Sequence, residues 1–386
     1  MRALKRFPVA LQHCRLFFCI VAGPFATGAM AQNPTYSLDA EEPAFSTPSP
    51  SASLEQSSVE LQLARARRQY GARCGRSRSP SRSDGGDSAA RSCGERIAAQ
   101  CKLLNTALKN VAPHLPFYRA SKGHITLYLL GTLHVGKASD CPLPECFRLA
   151  IRAALALSPI LAFELDPDDL MFAQDDVQRY GMCAYNCLPR LVPAALWRRL
   201  AMRLRDNPAA LAEIKKSRPW LAALMMDMLA ARAAGLQTEY GTEAQLENIY
   251  TAGRIIGLET FNEQILAFIR LTRAEQLEML AQSLARTLEQ NAADMRALHD
   301  LWRAGDADKL AAWQSSLSRE LAHSSSISKA IDEKTLYQRN RRFVAHILLA
   351  AEPGQPLFVA IGALHLGGPR GVLALLRQHG FDVRPG

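Results

Sequence analysis

Two apolar segments of this chain end in the same short pattern, and that pattern constrains the fold. "LYLLGTLHVG" occupies residues 127–136 and "FVAIGALHLG" occupies residues 358–367. Each is typical of a buried strand that ends at a Gly-x-x-His sequence. In an open α/β sheet, the carboxyl ends of the strands carry the ligand-binding loops. If the two strands are neighbours, His134 and His365 therefore lie close together, although they are far apart in the chain.

The residues around the first pattern predict a strand–helix–strand unit. "HITLYLLGTLH" (124–134) predicts a strand, "PLPECFRLAIRAALALS" (142–158) has helical spacing, and "PILAFELD" (159–166) predicts a second strand. Because a βαβ unit joins parallel strands, we expect these two strands to be parallel neighbours. The carboxyl-terminal part repeats the pattern, with helices at 332–351 and 371–380 and strands at 355–365 and 381–385.

The middle of the chain is predicted to be mostly helical. Apolar residues recur every three to four positions between 193 and 322, and residues 262–290 predict one long helix. The stretch "RIIGLET" (254–260) predicts a short strand. We therefore expect an α/β (α+β) domain with a central, mostly parallel sheet flanked by helices and a large helical insertion at about 190–330.

The amino-terminal residues predict export and then a tether. Residues 1–31 combine basic residues, the short apolar run "LFFCIVAGPFA" and an "AMA" cleavage pattern, as a signal peptide does. Residues 32–90 are rich in Ser, Pro and Arg and predict a disordered tether, so residues 91–386 form the expected domain. We expect a periplasmic protein without stable membrane insertion of the mature chain, the alternative being an inner-membrane anchor formed by an uncleaved signal.

Charge and cysteine content narrow the possible functions. The net charge of +10 comes from residues 1–31 and from seven arginines in residues 65–82, so the predicted domain offers no electrostatic case for nucleic-acid binding. Of nine cysteines, seven follow the signal, an odd number. Cys141 with Cys146, and Cys183 with Cys187, are candidate local disulfides. Zinc binding is the alternative, but neither pair has the C-x-x-C spacing.

Three residues at predicted strand ends could bind a metal ion. Glu164 lies in the apolar strand "ILAFELD", where an unpaired carboxylate is costly to bury. With His134 and His365, it forms a set of two imidazoles and one carboxylate that suits zinc, manganese, cobalt or ferrous ion. The alternatives are structural, hydrogen-bonded histidines and a glutamate that pairs with an arginine.

Two further charged residues are candidates for a catalytic role. Glu259 in "GLET" could act as a general base or orient a metal-bound histidine, or it could simply cap a helix or form an ion pair. Arg339 could stabilise a developing oxyanion as a fixed cation, or it could be an ordinary arginine on a helix surface.

Several segments together resemble the TraB/GumN family, whose animal relatives include the Tiki membrane proteases. They are "LYLLGTLHVG", "LAFELD", "GLET", "YQRN" and "FVAIGALHLGGPRGVLALLRQHGFDV", and the likeness covers about residues 116–385. The resemblance implies a Tiki/erythromycin-esterase-like α/β fold. It also implies that His134, Glu164 and His365 match the metal site of the family, and that Arg339 and Asn340 match its Arg–Asn pair. Many members have an acidic residue before that pair, where this chain has Gln338.

These observations predict a periplasmic, metal-dependent hydrolase that acts on a peptide or small amide substrate. The amide preference comes from the animal relatives of the family. A non-catalytic protein that sequesters a peptide, pheromone or haem at the same strand ends is one alternative. A hydrolase in which a histidine–carboxylate pair activates water without a metal is another.

Overall fold

A six-stranded sheet forms the centre of the protein. The computed structural model describes residues 113–140, 147–169 and 173–386. In spatial order the strands are β4-β3-β5-β2-β1-β6. Their bounds are β1 Phe117–Lys122, β2 Ile125–Thr132, β3 Ile160–Phe163, β4 Arg254–Gly257, β5 Leu357–Gly362 and β6 Asp382–Pro385.

The direction of the strands confirms the predicted α/β fold with a mostly parallel sheet. Strand β5 pairs in parallel with β2 on one side and with β3 on the other, and β3 pairs in parallel with β4. Strand β1 runs antiparallel to both β2 and β6. The central strands are apolar on both faces, as strands covered by helices on both sides must be.

The prediction that β2 and β3 are adjacent is wrong, because β5 lies between them. The β5 residues Leu357 to Ile361 are all buried, and a central position in the sheet removes the most apolar surface of this strand from water. A helix that connects two parallel strands is long enough to cross a third strand, so the two connected strands need not be neighbours. Strand β1 was not predicted, since only two of its six residues are buried.

Fifteen α-helices surround the sheet in the described ranges. They are α1 Leu149–Leu157, α2 Ala173–Gly181, α3 Leu188–Leu191, α4 Ala194–Arg203, α5 Pro208–Ile214, α6 Pro219–Ala233, α7 Thr242–Ile249, α8 Phe261–Ile269, α9 Arg273–Ser283, α10 Leu288–Ala304, α11 Ala307–Leu321, α12 Ser325–Asp332, α13 Gln338–Ala350, α14 Ala363–Leu366 and α15 Val372–Gln378. A π-helical turn, Glu333–Tyr337, leads into α13.

The single long helix predicted over residues 262–290 is instead three helices. Helix α8 ends at Ile269, α9 spans the middle, and α10 begins at Leu288. Thr272 and Thr287 start α9 and α10 with capping boxes, in which each threonine accepts from the third helical backbone N–H. These caps supply hydrogen-bond acceptors for the free backbone N–H groups at the start of each new helix, so the chain can turn there. The apolar spacing nevertheless continues across both breaks.

Several sequence-based expectations concern residues outside the described ranges. These are the signal peptide, the tether, the start of the domain at residue 91 and the Cys141–Cys146 pair. The other candidate pair, Cys183 and Cys187, forms a disulfide. Within the described ranges no helix is both long enough and apolar enough to cross a membrane.

Candidate functional site

The two Gly-x-x-His elements lie side by side at the carboxyl ends of β2 and β5. Thr132 pairs with Gly362, so the two patterns are offset by one residue on neighbouring parallel strands. His134 follows β2 in a loop, whereas His365 lies in the short helix α14. Glu164 was expected inside its strand, but it is the first residue after β3, at the same end of the sheet. Strand polarity therefore brings all three predicted metal ligands to one edge.

Arg339 lies at the centre of this edge. It is only 3% exposed, so it is not the surface arginine of the alternative interpretation. Its Nη2 donates to Glu164 Oε2 at 2.6 Å and to Glu259 Oε1 at 2.5 Å, and its Nε donates to Glu259 Oε1 at 2.9 Å. Its Nη1 lies 3.2 Å from His365 Nε2. One guanidinium therefore joins two carboxylates and an imidazole.

His365 is oriented by Asn340. The Asn340 side chain donates from Nδ2 to the Arg370 carbonyl at 2.9 Å, which directs its Oδ1 toward His365 Nδ1 at 2.6 Å. Because an amide oxygen only accepts, this network assigns the proton to Nδ1 and the lone pair to Nε2. Burial, reinforced by the positive charge of Arg339, lowers the pKa of His365 to about 3. His365 is therefore a neutral imidazole with its lone pair toward Glu164 and Arg339.

His134 is held by Glu243, a residue that the sequence interpretation missed. Glu243 Oε1 lies 2.9 Å from His134 Nδ1 and accepts from Thr132 Oγ1 at 2.6 Å. Burial opposes protonation of His134, but the charge and hydrogen bond of Glu243 outweigh it and raise the pKa to about 9. Glu243 lies in the first turn of α7, where an acidic residue is also expected from helix-dipole effects alone, so nothing in the sequence marked it.

The loop that carries His134 is fixed to the start of α7. The Thr242 backbone N–H donates to the Leu133 carbonyl at 2.8 Å, and the Leu133 N–H donates to Thr242 Oγ1 at 3.1 Å. The same two-residue contact therefore positions both His134 and the carboxylate of Glu243 beside it.

Glu259 anchors the guanidinium of Arg339. Its backbone N–H donates to the Glu164 carbonyl at 2.9 Å, which continues the pairing of β3 with β4 beyond the strands. Its carboxylate also accepts from Gln264 Nε2 at 3.2 Å and from Arg342 Nη2 at 3.4 Å. Burial raises the pKa of Glu259, although Arg339 opposes the shift. In the described part of the chain, the Glu259 carboxylate hydrogen-bonds with Arg339, Gln264 and Arg342 and with neither histidine.

The three predicted ligands are of the residue types that bind divalent metal ions. Each histidine has an acceptor at Nδ1, which is the usual arrangement around a metal-binding imidazole. Glu164 Oε1 lies 3.7 Å from His365 Nε2. Two ligands that each bind a tetrahedral zinc at about 2.1 Å are about 3.4 Å apart, so this pair needs little adjustment. As the side chains stand, no group of three or more His, Cys, Asp or Glu residues in the described ranges encloses an ion position.

Comparison with known proteins addresses the suspected family directly. The model of the TraB/PrgY/gumN family matches residues 116–385, which contain both Gly-x-x-His elements, Glu164, Glu259 and the Arg339–Asn340 pair. Searches of the curated proteins and of the solved structures found no match. The family match spans well over half of the chain. The chain therefore belongs to the TraB/PrgY/gumN family.

Proposed function

We propose that this protein is a metal-dependent hydrolase of amide or peptide bonds. The ligands would be His134, Glu164 and His365. The observation that carries the proposal is the paired orientation of the imidazoles, since Glu243 and Asn340 each accept at the Nδ1 of one histidine. Such acceptors commonly hold a ligand histidine in the tautomer that binds through Nε2.

A bound divalent ion would supply Lewis acidity, by polarising a carbonyl and lowering the pKa of a coordinated water. The protein's own groups would supply position and charge. Asn340 keeps the His365 lone pair on Nε2, and Glu259 holds Arg339 so that its guanidinium cannot turn away. A fixed cation of this kind stabilises negative charge that develops on the carbonyl oxygen of the substrate.

The metal content of the full chain tests this proposal. We would purify the protein without added metal, measure bound metal by elemental analysis, and compare His134→Ala and His365→Ala. His379→Ala is the matched control, because that histidine is exposed at the end of α15. Wild-type metal content in both site variants would refute the metal site. Metal binding without turnover of any peptide or amide would instead favour a non-catalytic binding protein.

A metal-free hydrolase is the second candidate, and the position of Arg339 favours it. Its Nη1 lies 3.2 Å from His365 Nε2, so a cation already stands beside the lone pair that a metal would use. Turnover that survives exhaustive chelation, and that is lost in Arg339→Met, would support this candidate over the metal-dependent one.

We also propose that the chain acts in the periplasm, on the basis of its first 31 residues. Cell fractionation and sequencing of the mature amino terminus test this. A start at Gln32 in the periplasmic fraction is the expected result, and an intact amino terminus in the inner membrane would indicate an anchor.

A further inference from the structure

A cavity of about 170 Å³ lies among four helices of the helical region. Helices α6, α9, α10 and α11 line it, and none of the candidate-site residues does. Its walls include Met279, Met295, Trp313 and Leu317, together with two carboxylates, those of Asp227 and Asp294. An apolar cavity with a few convergent polar groups is the usual form of a small-molecule site.

Asp227 is out of place in its helix. Helix α6 has the sequence PWLAALMMDMLAARA, and most of its residues are buried hydrophobic ones. The hydroxyl of Ser283 is a hydrogen-bond partner of the Asp227 carboxyl, and burial raises the pKa of that carboxyl to about 6. At neutral pH the group is therefore still mostly ionised. A carboxylate that is partly buried and has no cation beside it is costly, and among the described residues Asp227 forms no ion pair.

Several donors around the cavity are already engaged, since Gln282 Nε2 donates to Glu278 Oε1 at 2.9 Å and Gln314 Nε2 donates to Ser318 Oγ at 3.3 Å. Asn291 Nδ2 donates to the Ser283 carbonyl at 2.8 Å, and the Asn291 amide oxygen is an acceptor. Asp294 is already paired with Arg286, at 2.7 and 2.8 Å, so this cation is committed to another carboxylate. The lining therefore suits a ligand that donates hydrogen bonds and carries a positive charge.

The volume and the walls limit the size of that ligand. Apolar cavities of about 150 Å³ accept a molecule the size of benzene. The lining also includes the indole of Trp313, and aromatic rings attract cations as well as apolar groups. A single ring or a short aliphatic chain with one ammonium group satisfies both the space and the lining.

We propose that this cavity binds a small organic amine in its ammonium form. The ammonium group would contact Asp227, and the apolar part would lie among Met279, Met295 and Trp313. The site is independent of the proposed hydrolase centre, so either proposal can fail without the other.

Calorimetric titration of the full chain with benzylamine, and with benzyl alcohol as a neutral isostere, tests the proposal. We expect benzylamine to bind at least tenfold more tightly than benzyl alcohol at pH 7. Asp227→Asn should abolish this preference, because the amide has the same shape and no charge. Asp206→Asn is the control and should keep the preference, since Asp206 has an exposed side chain and does not line the cavity.

Equal binding of the two probes to the wild type, or a retained preference in Asp227→Asn, would overturn the proposal. A second variant, Ala230→Leu, places bulk in the cavity and keeps the carboxylate, because Ala230 is a buried lining residue. It should weaken benzylamine binding at least tenfold while circular dichroism stays native. Unchanged affinity in this variant would mean that the amine binds elsewhere, and it decides the matter even if Asp227→Asn fails to fold.

Discussion

Removal of the Arg339 guanidinium should cost more stability than any single exposed ion pair in the protein. Arg339→Met keeps most of the side-chain volume and leaves the carboxylates of Glu164 and Glu259 buried without their main cation. Breaking a buried ion pair by removing one partner costs about 3–5 kcal/mol. We expect the free energy of unfolding at pH 7 to fall by that amount.

The pKa of Glu164 gives an independent magnitude. Burial alone would raise this pKa, but the charge of Arg339, with smaller contributions from the histidines and the Gly362 N–H, lowers it from 4.5 to about 2. A shift of that size corresponds to about 3 kcal/mol. Because the folded pKa lies below the unfolded value, this stabilisation is complete above pH 4.5 and is lost as the pH falls toward 2. The deficit of Arg339→Met should therefore shrink over the same range.

Urea unfolding followed by circular dichroism, in EDTA to exclude metal effects, measures both quantities. Arg341→Met is the matched control, since Arg341 lies two positions further along the same helix, is half exposed and pairs with Glu333. It should lose less than about 1 kcal/mol. A loss below about 1 kcal/mol in Arg339→Met, or a deficit that does not change between pH 7 and pH 3, would refute the assigned role of Arg339.

Three further predictions follow from other parts of the structure. Glu243→Gln should lower metal affinity about 10- to 100-fold, measured by competition with a chromogenic chelator, because it weakens the contact that orients His134; unchanged affinity would contradict that role. Burial raises the pKa of Asp227 to about 6, so the ionised carboxylate destabilises the folded protein at pH 7. Asp227→Asn should therefore raise the free energy of unfolding at pH 7 by up to about 3 kcal/mol and should give no gain below pH 3.8. Urea unfolding at several pH values measures this, and a loss of stability at pH 7 would contradict it. Replacing Cys183 and Cys187 by Ser should cost about 2 kcal/mol, the loop-entropy value for a bridge that spans only four positions; equal denaturation midpoints with and without the disulfide would contradict it.

The proximity of His134 and His365 could be predicted from the sequence because each histidine directly follows the end of its own strand. A Gly-x-x-His sequence after an apolar run fixes where the strand stops, and parallel strands end at the same edge. The position of β5 between β2 and β3 could not be predicted in this way, because chain order does not determine spatial order in a sheet. It depends on how fully each strand is apolar, which is a comparison among all the strands.

The burial of Arg339 could not be predicted from the residues next to it in the sequence. Its neighbours Gln338, Arg341 and Arg342 are polar, so the local sequence is typical of a solvated helix face. Burial of Arg339 becomes favourable because Glu164 and Glu259, which follow the ends of β3 and β4, pair with it. The role of Glu243 also depends on a residue far away in the chain, since its partner His134 lies in the loop after β2.

The balance of buried charge connects the ion network with the proposed metal. Three carboxylates, of Glu164, Glu243 and Glu259, are buried at this edge of the sheet, and Arg339 is the one arginine buried with them in the described structure, since Arg342 is partly exposed. The raised pKa of His134 gives its imidazole a positive charge opposite Glu243 near pH 7. If both imidazoles become neutral in order to bind a metal, negative charge exceeds positive charge. Buried charge is costly unless it is compensated, and a divalent cation between His134, Glu164 and His365 would compensate it. The arginine and the proposed ion would therefore be complementary: Arg339 pairs with Glu164 and Glu259, and the ion would compensate the negative charge that remains once the histidines are neutral.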